Sequence, residues 1–175
     1  MGSVGVPWLV LAVASGGCSA PGRMPDCSSG RRLGIVAQAV PTAAYVPCIR
    51  DVPEGWTVNA LNVGDDGARF TAVSDRANGR RVDVDLRDEC EAGDAVPTTA
   101  RAEGVRTSLA LGSISPRFQG TLFDTFAGGC VSYRFDFPRG PHIALMEELQ
   151  AMVGLVARRE LRLELQRDLD VDIGS

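Results

Sequence analysis

The sequence predicts an α+β domain: an antiparallel sheet of about five or six strands, with C-terminal helices packed on it and disulfides bracing it. Three observations lead there. Between residues 55 and 137, six short segments alternate apolar with polar residues or gather β-branched and aromatic ones, divided by Gly-, Asn- and Asp-rich turns. Beyond residue 142 the apolar period lengthens from two to three and four, the pattern of an amphipathic helix. Four cysteines, Cys27, Cys48, Cys90 and Cys130, run through the same span, an even set for two bridges.

At the N-terminus, residues 4–14 (VGVPWLVLAVA) form an uncharged apolar run. A bilayer span needs about 20 such residues and a signal-peptide core roughly 7–15, so residues 1–17 read as an export signal. Small residues then lead into Cys18: Ala14-Ser15-Gly16-Gly17-Cys18. This stretch resembles the lipobox of bacterial lipoproteins, in which a cysteine after small residues receives diacylglycerol and becomes the mature N-terminus. The resemblance implies lipid attachment at Cys18 and a membrane partner. Two acyl chains hold a protein durably where one holds it marginally. The expected location is the outer face of the bacterial cytoplasmic membrane, or the exterior if the lipid is not added. Residues 18–26 are small, polar and Pro/Gly-containing, the composition of a tether, and residues 27–175 remain for one folded domain.

Within that domain, residues 31–40 (RRLGIVAQAV) suit a short helix ended by Pro41. Strands are expected at 55–63, 68–74 and 80–87. The last two flank Asn78-Gly79, a pair suited to the positive φ of a tight hairpin. In the third of these strands Val82, Val84 and Leu86 form a buried face and Asp83 and Asp85 a wet one. Residues 91–101 read as a loop, followed by strands at 107–113, 118–126 and 130–137. The last puts Val131, Tyr133, Phe135 and Phe137 on one face, and Cys130, Ser132, Arg134 and Asp136 on the other. Ile143, Met146, Leu149, Val153 and Val156 then trace a helix with a break at Gly154. Residues 158–169, rich in Arg, Glu and Leu, predict a second helix.

A length of 175 residues suits a single core, and 45% hydrophobic with 23% charged residues is a globular composition. Every one of the 18 basic residues is arginine, a bias of GC-rich coding sequences. A formal charge of −4 and the lack of a basic stripe argue against a nucleic-acid partner.

Candidate chemistry centres on sulfur. Asp26-Cys27-Ser28 resembles a triplet of exported cell-wall cysteine peptidases, where the cysteine attacks an amide with help from a histidine. The single histidine, His142, stands 115 positions away with no partner motif, so a structural role is expected for Cys27. Gly128-Gly129-Cys130-Val131 resembles the cysteine motif of the L,D-transpeptidases, which implies an envelope hydrolase or transpeptidase using Cys130 and His142. That family carries serine and histidine where this chain has Ala127 and Gly128, and arginine where it has Ser132. The exported setting instead favours disulfides. Of the three possible connectivities, Cys27–Cys48 with Cys90–Cys130 is preferred, the first closing a local loop and the second tying two strands.

Two acidic groups invite a metal reading. Asp168, Asp170 and Asp172 resemble the opening of an EF-hand loop, but Ile173 occupies the position of its obligatory glycine. Asp83, Asp85, Asp88 and Glu89 are expected to be a solvated face. No metal and no cofactor is therefore expected. The function expected is that of a non-catalytic cell-envelope lipoprotein whose domain binds an envelope protein or cell-wall ligand. The alternatives are the Cys130–His142 enzyme and a regulatory or inhibitory accessory protein, for which Tyr45, Trp56, Phe123 and Phe126 would serve as exposed anchors. The chain as a whole resembles exported proteins of high-GC Gram-positive bacteria, a likeness that implies no activity.

Overall fold

The computed structural model describes residues 23–138 and 141–173, with side chains described as far as residue 168. The predicted signal (residues 1–17), Cys18 and the start of the tether lie outside the described residues. In chain order the elements are α1 (Gly30–Ala39), β1 (Tyr45–Ile49), β2 (Trp56–Val58), β3 (Asn62–Gly64), β4 (Gly67–Ser74), β5 (Arg80–Arg87), β6 (Val96–Pro97), β7 (Arg106–Ser113), β8 (Arg117–Phe126), β9 (Gly129–Pro138), α2 (His142–Met152), β10 (Val153–Ala157) and α3 (Arg158–Ile173).

The α+β class stands, with a larger sheet than expected: eight antiparallel strands in the order β2-β4-β5-β9-β8-β7-β6, with β3 also on β4. Two local events raise the count. The expected strand 55–63 is broken into β2 and β3, both on the same edge of β4, as Leu61 turns inward to 8% exposure. The expected loop 91–101 contributes β6, two residues paired with β7. Between β4 and β5 the chain turns through a 3-10 segment, Asp75–Ala77, and Asn78 and Gly79 take the positive φ angles that their residue types favour.

A second, two-stranded sheet pairs β1 with β10, neither of which was expected to be a strand. The helix traced through Val153 and Val156 therefore stops at Met152 and becomes β10. Its buried stripe is Leu145, Met146, Leu149 and Met152, while Ile143 is 64% exposed. Gly154 makes room instead of a break: a Cβ there would meet the Cys27 sulfur at 2.8 Å.

One core holds the parts together. Val82, Val84, Leu86, Phe70, Tyr133, Phe135 and Phe137 from the sheet share it with Leu33 and Val36 of α1, and with Leu145 and Leu149 of α2. Burying each such side chain contributes about 1.5–3 kcal/mol. The helical cover is not confined to the C-terminal end: α1 packs on β3 and β4, α2 on β9, and α3 on α1 and β10. The folded unit reaches back into the expected tether, since Met24 is 5% exposed and Ile49 donates its N–H to the Pro25 carbonyl at 3.0 Å.

Polar staples fix the helices. Arg158, opening α3, donates to the carbonyls of Ala37 and Val40, which end α1 and have no intrahelical partner, and to that of Ala43. Trp56 Nε1 donates to Glu148 Oε2 at 2.8 Å, and Arg76 pairs with the same carboxylate, clamping α2 to the sheet edge. Burial opposes the charge on Glu148, but the hydrogen bonds from Arg76 and Trp56 outweigh it and hold the carboxyl below its ordinary range.

Candidate functional site

Each sequence-predicted sulfur within the described residues is in a bridge. Cys27 and Cys48 are bonded with Cα atoms 4.9 Å apart, and Cys90 and Cys130 with Cα atoms 6.0 Å apart. Cys130 and His142 do not come together. Cys130 lies opposite Thr125 near the start of β9, whereas His142 packs against Phe118 with the two rings tilted, and Phe118 lies opposite Phe137 near the other end of that strand. Seven residues of strand separate those points, about 23 Å. Cys130 and Phe137 also project from opposite faces, since seven is an odd number of steps. The glycines that resemble the transpeptidase motif have a packing role. Gly128 has φ +69° and lies against Thr42, whose Oγ1 donates to the Gly128 carbonyl at 2.7 Å, so a side chain there would collide with backbone.

The other candidates are also placed by the fold. Trp56, Phe123 and Phe126 are 6–8% exposed and Tyr45 is partly buried, so these four do not form an exposed aromatic surface. Phe126 and Tyr45 face each other at 5.5 Å. Asp85, expected to be wet, is 3% exposed, because Arg69 from the neighbouring strand pairs with it. Asp83 pairs with Arg81 at 3.5 Å. No cluster of three or more metal-competent side chains exists among the described residues. Asp168 lies in a continuous helix to Ile173, a backbone that no EF-hand loop adopts, and the side chains of Asp170 and Asp172 lie outside the described residues.

Two polar assemblies remain, one on each face of the sheet. The inner one surrounds Asp124, which is fully buried. Arg101 Nη1 donates to Asp124 Oδ2 at 2.6 Å and to the Tyr133 hydroxyl at 2.8 Å. That hydroxyl in turn donates to Asp124 Oδ2 at 2.9 Å, and Thr107 donates to Oδ1 at 2.8 Å. Arg101 Nη2 donates to the Gln150 carbonyl at 2.6 Å and also to that of Val153, where α2 ends. Burial, reinforced by the Asp124 charge, drives the Tyr133 pKa well above that of an ordinary phenol, so it stays a neutral donor. Every strong group here is met, which describes a lock joining sheet, loop and helix.

The outer assembly is open. Here β5, β9, β8 and β7 carry a hollow of about 770 Å³ lined by Arg80, Arg81, Asp83, Gln119, Thr121 and Arg134, among others. Strand register builds it: Asp83 lies opposite Arg134, Arg134 opposite Thr121, and Thr121 opposite Ala110. One row across four strands therefore reads acid, base, hydroxyl, methyl. Asp136 at one side takes Arg80 at 3.1 Å and Arg117, whose Nε donates at 2.6 Å. The Arg134 guanidinium has no hydrogen-bond or ion-pair partner among the described residues. The sequence reading placed Arg134 and Asp136 on an outward face but singled out neither. Alternation along each strand was the available signal.

Comparison with protein-family models, with curated proteins and with solved structures finds no match.

Proposed function

We propose that this chain is a non-catalytic cell-envelope lipoprotein, anchored through a lipid on Cys18, whose domain binds a ligand or partner at the open face of its sheet. The observation that carries the reading is the contrast in commitment among its polar groups. Four cysteines are engaged in bridges and the inner arginines in closed networks, while the outer face presents a hollow with an unpaired guanidinium. A binding face needs such unmet donors; a thiol enzyme needs a free thiolate beside a base. No helix among the described residues is long and apolar enough to cross a membrane.

Expression in a bacterium with lipoprotein-processing enzymes, fed an alkyne fatty acid, tests the anchor. The expected result is a labelled, membrane-associated protein starting at Cys18, with label lost in Cys18→Ala. Unlabelled mature protein removes the anchor. Iodoacetamide labelling of native protein at Cys130 would overturn the non-catalytic reading.

A further inference from the structure

We infer that the hollow on the open face is the site of a phosphate monoester carried on a polyol, with Arg134 as the group that seats the phosphate. This rests on the reading that the open face binds a ligand, and it names the chemistry of that ligand.

Charge gives the first reason. Three guanidinium groups, those of Arg80, Arg81 and Arg134, line the hollow with two carboxylates, Asp83 and Asp136, and Arg117, outside the lining, also pairs with Asp136. Asp136 is shared by Arg80 and Arg117, Asp83 is taken by Arg81, and Arg134 is left over. One positive charge is in excess in the lining, and a second comes from Arg117 beside it, on a chain whose formal net charge is −4, so the excess is local and not a property of the whole surface. A phosphate monoester, with close to two negative charges at neutral pH, balances it. A guanidinium fork presents two parallel N–H groups that match two phosphate oxygens.

Space gives the second reason. On the β7 side the hollow is bounded by Ala110 and Gly112, and on the β5 side by Gly79. A Cβ at Gly79 would touch nothing within 4 Å, and one at Gly112 only the Gln119 carbonyl at 3.8 Å. Longer side chains at these places would narrow the hollow, and Ala110 shares the cross-strand row of Arg134.

The surroundings give the third. Gln119, Thr121 and Asp83 offer donors and acceptors beside Arg134, suited to hydroxyl groups next to a phosphate. Phe135 is the one aromatic residue among the lining, and it is 3% exposed within the core, so no ring is available for stacking. Beside Arg134 the recognition on offer is polar, with Leu111, 45% exposed, as the one exposed large apolar side chain of the lining.

The full chain, 15N-labelled, is titrated with glycerol 3-phosphate and separately with glycerol, and its amide shifts are followed. In parallel, flotation is measured with phosphatidylcholine vesicles with and without phosphatidic acid, whose headgroup carries the same monoester. The expected result is a saturable shift at Asp83, Thr121 and Arg134 with glycerol 3-phosphate and none with glycerol. Arg134→Gln and Ala110→Gln should each weaken it at least about tenfold at unchanged melting temperature. If only the phosphatidic acid vesicles bind, and Arg134→Gln abolishes this, the monoester is a lipid headgroup. If only the soluble ester binds, the source is free polyol phosphate. Silence in both arms, shifts mapping elsewhere, or full binding by Arg134→Gln overturns the inference. Such a failure leaves the binding-domain reading standing, whereas a reactive Cys130 thiol strikes that reading directly.

Discussion

Arg101 and Arg134 flank the same sheet and are opposites. Arg101, on the helix-covered side, reaches one carboxylate, one phenol and two carbonyls, and its charge lies 5.4 Å from the centre of the Tyr133 ring. Arg134, on the open side, reaches no partner among the described residues. The difference follows from solvent. An arginine inside must have its donors met, because desolvation is repaid only by charge and hydrogen bonds. An arginine outside is hydrated and can be left open at little cost. The inner face is therefore where substitution should cost stability, and the outer face where it should cost binding.

The largest expected effect breaks the inner lock. Arg101→Met would leave Asp124 buried without its counter-charge, which costs about 3–5 kcal/mol. Urea denaturation measures it. The double variant Arg101→Met with Asp124→Leu should recover a large part, because the penalty lies in the unpaired charge and not in the loss of the pair. A single variant within 1 kcal/mol of the parent, with ~1 kcal/mol being an ordinary neutral hydrogen bond, would mean that the network contributes little.

Next come the two bridges, which brace different parts of the molecule. Cys90–Cys130 spans 40 residues and ties β9 to the segment following β5. Cys27–Cys48 spans 21 and ties the N-terminal segment to β1. Restriction of the unfolded chain predicts losses of about 4 kcal/mol for Cys90→Ala/Cys130→Ala and about 3 kcal/mol for Cys27→Ala/Cys48→Ala. Comparing both double variants by denaturation, with the m-value checked for constancy, tests the order. A reversed order would show that native packing around Cys27, Cys48 and Gly154 outweighs loop length.

How much of this could be read in advance depended on whether the signal was local. In β9 alternation alone assigned each side chain to its face, because one face is apolar along the whole strand. In β1, YVPCI, four of five residues are buried and nothing alternates, so the strand carried no period. In β10 the valines at 153 and 156 fitted helical spacing, and only pairing with β1, more than a hundred residues away, makes the segment a strand. β6 is too short for any period. The candidate site was half legible for the same reason. Arg134 and Asp136 were outward residues on sight, but the row from Asp83 through Arg134 and Thr121 to Ala110 exists only once the register of four strands is set. Asp85 was misplaced because its burial comes from Arg69 on a neighbouring strand.

The smallest effect concerns an exposed carboxylate, in contrast to the fully buried Asp124. Asp26 accepts hydrogen bonds from the Ser28 hydroxyl at 2.5 Å, the Ser29 hydroxyl at 2.7 Å and the Ser28 N–H at 3.0 Å. The side-chain bonds from Ser28 and Ser29 bring its pKa down to about 2, from 3.8 for an unperturbed group. A depressed carboxylate stabilises the fold while it is charged in both states, and the contribution disappears once the folded group also takes a proton. Its stabilisation is therefore complete above pH 3.8 and is lost as pH falls towards 2. Because Asp26 is exposed, water and salt screen these bonds and the change should be slight. Thermal melts of the parent and Asp26→Asn through that window should converge towards pH 2 and differ by a constant amount above pH 4, where ~4 is the ordinary carboxylate range. A gap that stays the same down to pH 2 would mean that the turn at residues 26–29 is held by its backbone bonds alone.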